Sequence, residues 1–245
     1  VRIEDVPTIW ETLEQHGLNT WDACGDVPRV ILGSPVAGIA KDEIIDATPA
    51  IREIQKIVTN EEFQNLPRKF KTAISGNARQ DVVHEINDLA FIGVEHPELG
   101  PGFECYVGGG LSTNPMLAQS LGAFVTLEQV PEVWAGVVRI FRDYGYRRLR
   151  NRARLKFLVA EWGIEKFRRV LEEEYLGYSL PDGPKAPDNL VDRDHIGVHE
   201  QKDGNVYIGV KPTLGHMSGE QLIALAGLAE RYGVTDLRFT PFKEV

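Results

Sequence analysis

The stretch Pro67–Gly76, PRKFKTAISG, constrains this chain more than any other. Pro67 breaks the preceding helical pattern, and the residues after it read as a strand. Side chains alternate faces along a strand, so Lys69 and Lys71 share one face and Phe70 and Thr72 the other. Two ammonium groups on one face repel each other unless an anion sits between them or water screens them. Two readings follow. One is an exposed sheet edge blunted by lysines. The other is an anion pocket lined by Lys69, Lys71 and Arg29. Arg29 comes from a second stretch, Ala23–Gly38 (ACGDVPRVILGSPVAG), where it follows Pro28 in a frame of small residues.

The 245 residues suffice for one large or two medium domains with real cores. A net charge of −9 argues against a general nucleic-acid binder, which carries a basic excess, but leaves room for a local basic pocket. No signal peptide is expected, and there is no apolar run of about 18 residues, so no membrane span is expected either. Two cysteines, Cys24 and Cys105, cannot build a disulfide scaffold and point to a reducing, cytoplasmic compartment. The first residue is Val1 rather than Met, so the chain is expected to be processed, cut or excised from something longer.

The periodicity predicts a helix near the N-terminus, with Pro7 in its first turn, Ile9, Trp10 and Leu13 on its apolar stripe, and Gly17 at its end. A second helix follows Thr48-Pro49, read as a cap and a first-turn proline, and buries Ile51, Ile54, Ile57 and Val58. Strand-like runs at Lys69–Ser75, Leu89–Val94 and Phe103–Val107 are expected to be neighbours in one partly antiparallel sheet. Gly108–Gly110 turns the chain into a short helix, Asn114–Leu121, capped by Ser112 or Thr113. Residues 130–180 read as three helices, beginning at Pro131, near Arg147 and at Ile164. The basic run from Arg147 to Lys156 reads first as a solvated helix face; a nucleic-acid helix is disfavoured by the lack of interleaved aromatics and the acidic chain, and a docking patch for an acidic electron carrier is the third option. The Pro- and Asp-rich residues 181–193 read as a linker. After it come a hairpin turning at Asp203-Gly204, a helix capped by Ser218, and a last strand, Val234–Thr240. The organisation expected is α+β: a mixed or antiparallel sheet with helices over 1–185, then a smaller unit over 186–245.

Three blocks taken together, ACGDVPRV (Ala23–Val30), LPRKFKTAISG (Leu66–Gly76) and YVGGGLSTNP (Tyr106–Pro115), resemble the sirohaem-containing nitrite and sulfite reductases, and most closely the bacterial ferredoxin-dependent sulfite reductases. The resemblance runs over nearly the whole chain. It implies sirohaem and a [4Fe–4S] cluster as cofactors, ferredoxin as electron donor, and sulfite, or alternatively nitrite, as substrate. It makes residues 186–245 a ferredoxin-like half-domain, one of two that normally pair, so an open face is expected there.

By the same resemblance Arg29 falls on the family's substrate arginine, and Lys69 and Lys71 on its paired substrate lysines. Those residue types suit the task. Arginine offers a planar fork of permanently protonated donors, and lysine a donor that can give up a proton and recover it. Arg68 is expected to reach a sirohaem carboxylate, and Gly108, Gly109, Gly110 and Asn114 to present backbone to the macrocycle. Cys24 is a candidate near-site thiol, and Cys105 reads as core. The cluster is the departure: it needs about four cysteine ligands, and this chain has two. The resemblance therefore implies the middle of a longer reductase, with the rest of the parent chain as partner, and a fragment that alone neither assembles the cluster nor reduces sulfite. A non-catalytic α/β module that holds a small anion or a partner is the alternative of another class.

Overall fold

The computed structural model describes residues 1–20, 23–188, 193–234 and 236–242. Its centre is a five-stranded mixed sheet of β1 (Pro28–Gly33), β2 (Phe70–Ser75), β3 (Leu89–His96), β4 (Gly100–Val107) and β5 (Gln119–Val125), in that spatial order. β1, β2 and β3 run parallel, while β3, β4 and β5 are antiparallel neighbours. The three expected strand runs are all present and all in this sheet. β3 is buried from Leu89 through Val94. Its continuous apolar run is what a strand covered on both faces requires.

On one face lie α2 (Thr48–Ile57), α3 (Val130–Tyr144), α4 (Leu155–Trp162) and α5 (Ile164–Val170), the last continuing into a wider turn, Leu171–Leu176. Phe70 from β2, Phe91 from β3 and Phe103 from β4 meet Trp134 and Phe141 of α3 in this core. Each large side chain taken fully from water contributes about 2–3 kcal/mol. Thr72 points the same way as Phe70 and its hydroxyl accepts the Trp134 indole N–H at 3.0 Å. Thr48 is already the first helical residue of α2 and Ala47 holds the cap position; the Asp46 carboxylate just before it accepts the Thr48 N–H at 2.8 Å.

The other face is closed by a smaller cluster that includes Ala73, Ala90, Ile92, Phe124 and Ala186. Ala186 belongs to the expected linker, which is instead a docked strap. Phe124 N–H donates to the Pro181 carbonyl at 2.8 Å, Arg168 pairs with Asp182, and Gly183 lies so close to Phe124 that a Cβ there would collide with it. Residues 189–192 of that stretch lie outside the described residues.

Two expected helices are not as the periodicity suggested. Asn114–Leu121 does not form a helix. Gly110 and Met116 exchange backbone hydrogen bonds at 2.9 Å, and Gln119 onward pairs with β4. The pairing across the sheet outweighs a local Ser-Thr-Asn-Pro cap signal. The helix expected from Arg147 begins only at Leu155, because the arginines before it are drawn into contacts with distant residues.

Beyond the strap, β6 (Gly197–Glu200) and β7 (Val206–Gly209) form a hairpin, and Ser218 caps α6 (Gly219–Arg231) in a reciprocal box with Gln221. The hairpin is tied to the sheet by a buried network. The Asp81 carboxylate accepts from Ser34 and Ser75, each at 2.6 Å, and meets His195 Nε2 at 2.8 Å. His195 Nδ1 lies 3.0 Å from the Tyr207 hydroxyl. The described residues of 234–240 form no strand, and Thr235 lies outside them. Arg238 instead donates to the Pro35 and Ala37 carbonyls. α6 buries none of its residues, and Ile208, Ile223 and Phe239 stand exposed, which is the open face expected of this unit. α1 (Val6–Gln15) also forms as expected but buries none of its residues, so Ile9 and Trp10 stand exposed.

Candidate functional site

β2 turns Phe70 and Thr72 into the core, so Lys69 and Lys71 emerge together on the opposite side. They open into a cavity of about 480 Å³ whose wall includes Arg68, Arg150, Arg154 and Lys156. Among the described residues neither Lys69 nor Lys71 has an acidic partner. Burial, then the charges of Arg154, Lys71, Arg68 and Arg29, hold the Lys69 ammonium below the ordinary lysine range.

The other cations of the wall are paired. Asp26, in the loop before β1, takes Arg150 through two hydrogen bonds of 2.8 and 3.0 Å and Arg68 at 3.6 Å. Its carboxyl is held below the usual range, chiefly by the Arg150 hydrogen bond. Asp88, fully buried, takes Arg154 through bonds of 2.7 and 3.1 Å and accepts the Lys71 backbone N–H at 2.9 Å. Burial pushes the Asp88 carboxyl up, against the pull of Arg154 and the Lys71 N–H. Lys156 is buried, and its ammonium is capped by the carbonyls of Gly110, Leu111 and Asn114. Burial and Arg154 lower its pKa, with Asp88 opposing.

The three glycines end β4 beneath that loop. Gly108 has φ +84°, and Gly109 is pressed so closely on the Glu85 and Asn87 carbonyls that a Cβ would overlap them. All three are buried against this chain's own atoms, so internal packing accounts for them. Asn114 is exposed and meets the site through its carbonyl on Lys156.

Arg29 does not line the cavity. Its guanidinium turns to the preceding loop, donating Nη1 to the Ala23 carbonyl and Nη2 to the Gly25 carbonyl at 2.8 Å, while Nε is buried with no hydrogen-bond partner among the described residues. Its charge still reaches Lys69. Cys24 sits exposed between those two carbonyls, and Cys105 is buried in β4. The structure thus gathers Lys69, Lys71 and Arg68 into one wall and leaves Arg29 and Cys24 at its margin. Sequence reasoning assigned Arg150, Arg154 and Lys156 to a solvated helix face and did not single out Asp26 or Asp88. Asp26 lies inside the first motif, and Asp88 heads the strand beside the lysines, but a lone acid at such a place carries little signal.

Residues 24–180 match the model for the "nitrite and sulphite reductase 4Fe-4S domain", and residues 199–244 match that for the "nitrite/sulfite reductase ferredoxin-like half domain". A protein of Mycolicibacterium paratuberculosis named sulfite reductase [ferredoxin] 2 is 57% identical over the whole of this chain and 44% of its own length. A ferredoxin–nitrite reductase of Leptolyngbya laminosa is 38% identical over 98% of this chain and 48% of its own. The solved structure of the Mycobacterium tuberculosis NirA protein superposes with a TM-score of 0.94 at 57% identity, covering 98% of this chain and 44% of that one. The chain spans under half the length of these relatives.

Proposed function

The chain belongs to the nitrite and sulfite reductase family, and from that premise we propose that it forms the anion-binding and proton-delivering part of a ferredoxin-dependent sulfite reductase. The observation that carries this reading is the lysine pair, two ammonium groups on one strand face without acidic partners among the described residues, opening into a cationic cavity. Such a pair is stabilised by a small oxyanion between the two charges. Lys69 has the properties of the proton donor. Its lowered pKa lets it release a proton to a departing oxygen and regain one from solvent. Lys71 holds the anion, and Arg29 adds its charge from the margin.

The cofactors differ in their fit to this chain. The donor set suits sirohaem, a macrocycle edged with carboxylates. Arg68 and Arg150 would hold those groups with the guanidinium N–H groups that Asp26 does not occupy. Lys156 would keep the 108–114 loop in place as a wall. Sirohaem, where bound, supplies the iron that takes the substrate anion and passes it electrons. The [4Fe–4S] cluster does not fit: Cys24 and Cys105 cannot supply four thiolates, so in this reading its ligands come from elsewhere in the full-length enzyme. The reading places that enzyme in the cytoplasm with ferredoxin as donor. Sulfite is preferred to nitrite because the sulfite-reducing relative is 57% identical and the nitrite-reducing one 38%.

The test is steady-state turnover of the full-length enzyme on sulfite and on nitrite, with Lys69→Ala and Lys71→Ala beside the parent. Each substitution is expected to lower turnover on sulfite by about 100-fold, the scale of losing a positioned proton donor. Unchanged kinetics in both variants would leave a non-catalytic anion-binding module as the better account.

A further inference from the structure

Two carboxylates divide the six cations of the cavity wall into a fixed set and an available set. Asp26 fixes Arg68 and Arg150, Asp88 fixes Arg154, and three carbonyls fix Lys156. Lys69 and Lys71 remain. Asp88 does more than neutralise a guanidinium. Its side chain takes the Lys71 N–H from β2, its own backbone carbonyl takes the Gly108 N–H at 2.8 Å, and its second carboxylate oxygen completes the fork to Arg154 just before α4. Two parts of the wall, Lys71 and Arg154, and the glycine turn that leads into the lining residues 111–113 meet on one fully buried residue.

We propose that Asp88 is the positioning residue of this site: it ties the Arg154 guanidinium down in the cavity wall and sets the backbone of Lys71, so that the incoming oxyanion is taken by the lysines and not by the arginine. The proposal rests on the reading that the lysine pair faces the anion. It has a consequence that a merely structural carboxylate would not have. Neutralising Asp88 releases an arginine to compete for the anion, so affinity and turnover should move in opposite directions. The buried negative charge also ceases to oppose anion entry.

The experiment uses full-length, sirohaem-loaded enzyme, with nitrite as the probe titrated by heat and sirohaem content read from its absorption. Asp88→Asn, which keeps an acceptor for the Lys71 N–H, is expected to bind nitrite about threefold or more tightly and to turn over about tenfold more slowly. Adding Arg154→Met to Asp88→Asn should return the affinity to within about twofold of the parent. Unchanged or weaker binding in Asp88→Asn overturns the proposal. If that variant does not load or fold, Arg154→Met alone decides. It should alter nitrite affinity less than threefold, while Lys71→Met weakens it about tenfold or more. Equal losses in Arg154→Met and Lys71→Met make the arginine a ligand and end the role assigned to Asp88 alone. No loss in Lys71→Met or in Lys69→Met instead removes the anion-site reading, and the proposal with it.

Discussion

The two ends of β2 place polar side chains under opposite rules. At its beginning Lys69 and Lys71 face a cavity without acidic partners among the described residues. At its other end Ser75 enters a network in which every polar atom is answered: Asp81 by Ser34, Ser75 and His195, and His195 in turn by Tyr207. Both arrangements cost desolvation, but only the second recovers that cost inside the protein. A buried network that is complete reads as fastening, here of the β6–β7 hairpin to the sheet. A set of like charges left facing a cavity reads as a site whose missing counter-charge arrives from outside.

The largest effect that would break this contrast is on stability at the fastening end. Asp81→Ala leaves His195, Ser34 and Ser75 without their acceptor in a fully buried place and is expected to destabilise the fold by about 3–5 kcal/mol. Lys71→Met at the other end should leave stability unchanged or raise it, since it removes a like-charge repulsion. Denaturant melts of both variants check this, and comparable losses from the two substitutions would erase the distinction. A smaller effect is local. His195→Gln is expected to cost about 1–2 kcal/mol. It should speed hydrogen exchange at the β6 and β7 amides while those of β3 stay protected. Faster exchange spread evenly over both would mean that the hairpin is not fastened as a separate piece.

The legible parts of this molecule are those where a short-range rule decides. Alternation over residues 69–72 placed the lysines and Phe70 and Thr72 on the correct faces, and Ser218 announced its helix through its own cap. The illegible parts are those where a partner distant in sequence decides. Gln119–Val125 is a strand because β4 offers it an edge, which no window around Ser112 contains. Arg150 and Arg154 leave the helical pattern because Asp26 and Asp88 hold them across 124 and 66 residues of sequence. The lysines were read correctly as sharing a face. Arg29, read as their companion, was beyond reach of such rules because the Ala23 and Gly25 carbonyls that capture it are set by loop geometry.

The smallest expected effect is a fraction of a proton, and it sharpens the contrast most. Burial and neighbouring cations depress the Lys69 pKa in the folded protein. Between that lowered value and the ordinary lysine value near 10.5, the unfolded chain binds more protons at this residue than the folded one. The contribution of Lys69 to stability therefore rises with pH through that window, and below it the penalty of holding the charge is present in full. Burial, the larger cause of the depression, stays, but an anion between the lysines offsets the neighbouring cations, so binding is expected to raise the pKa and draw a proton from buffer. Nitrite suits the measurement because it carries no proton of its own near neutrality. The heat of nitrite binding to the full-length enzyme, measured at alkaline pH in buffers of different ionisation enthalpy, should show net proton uptake that disappears in Lys69→Met. Uptake that survives that substitution would place the proton on another group and end the idea that protons enter at the lysine end of β2.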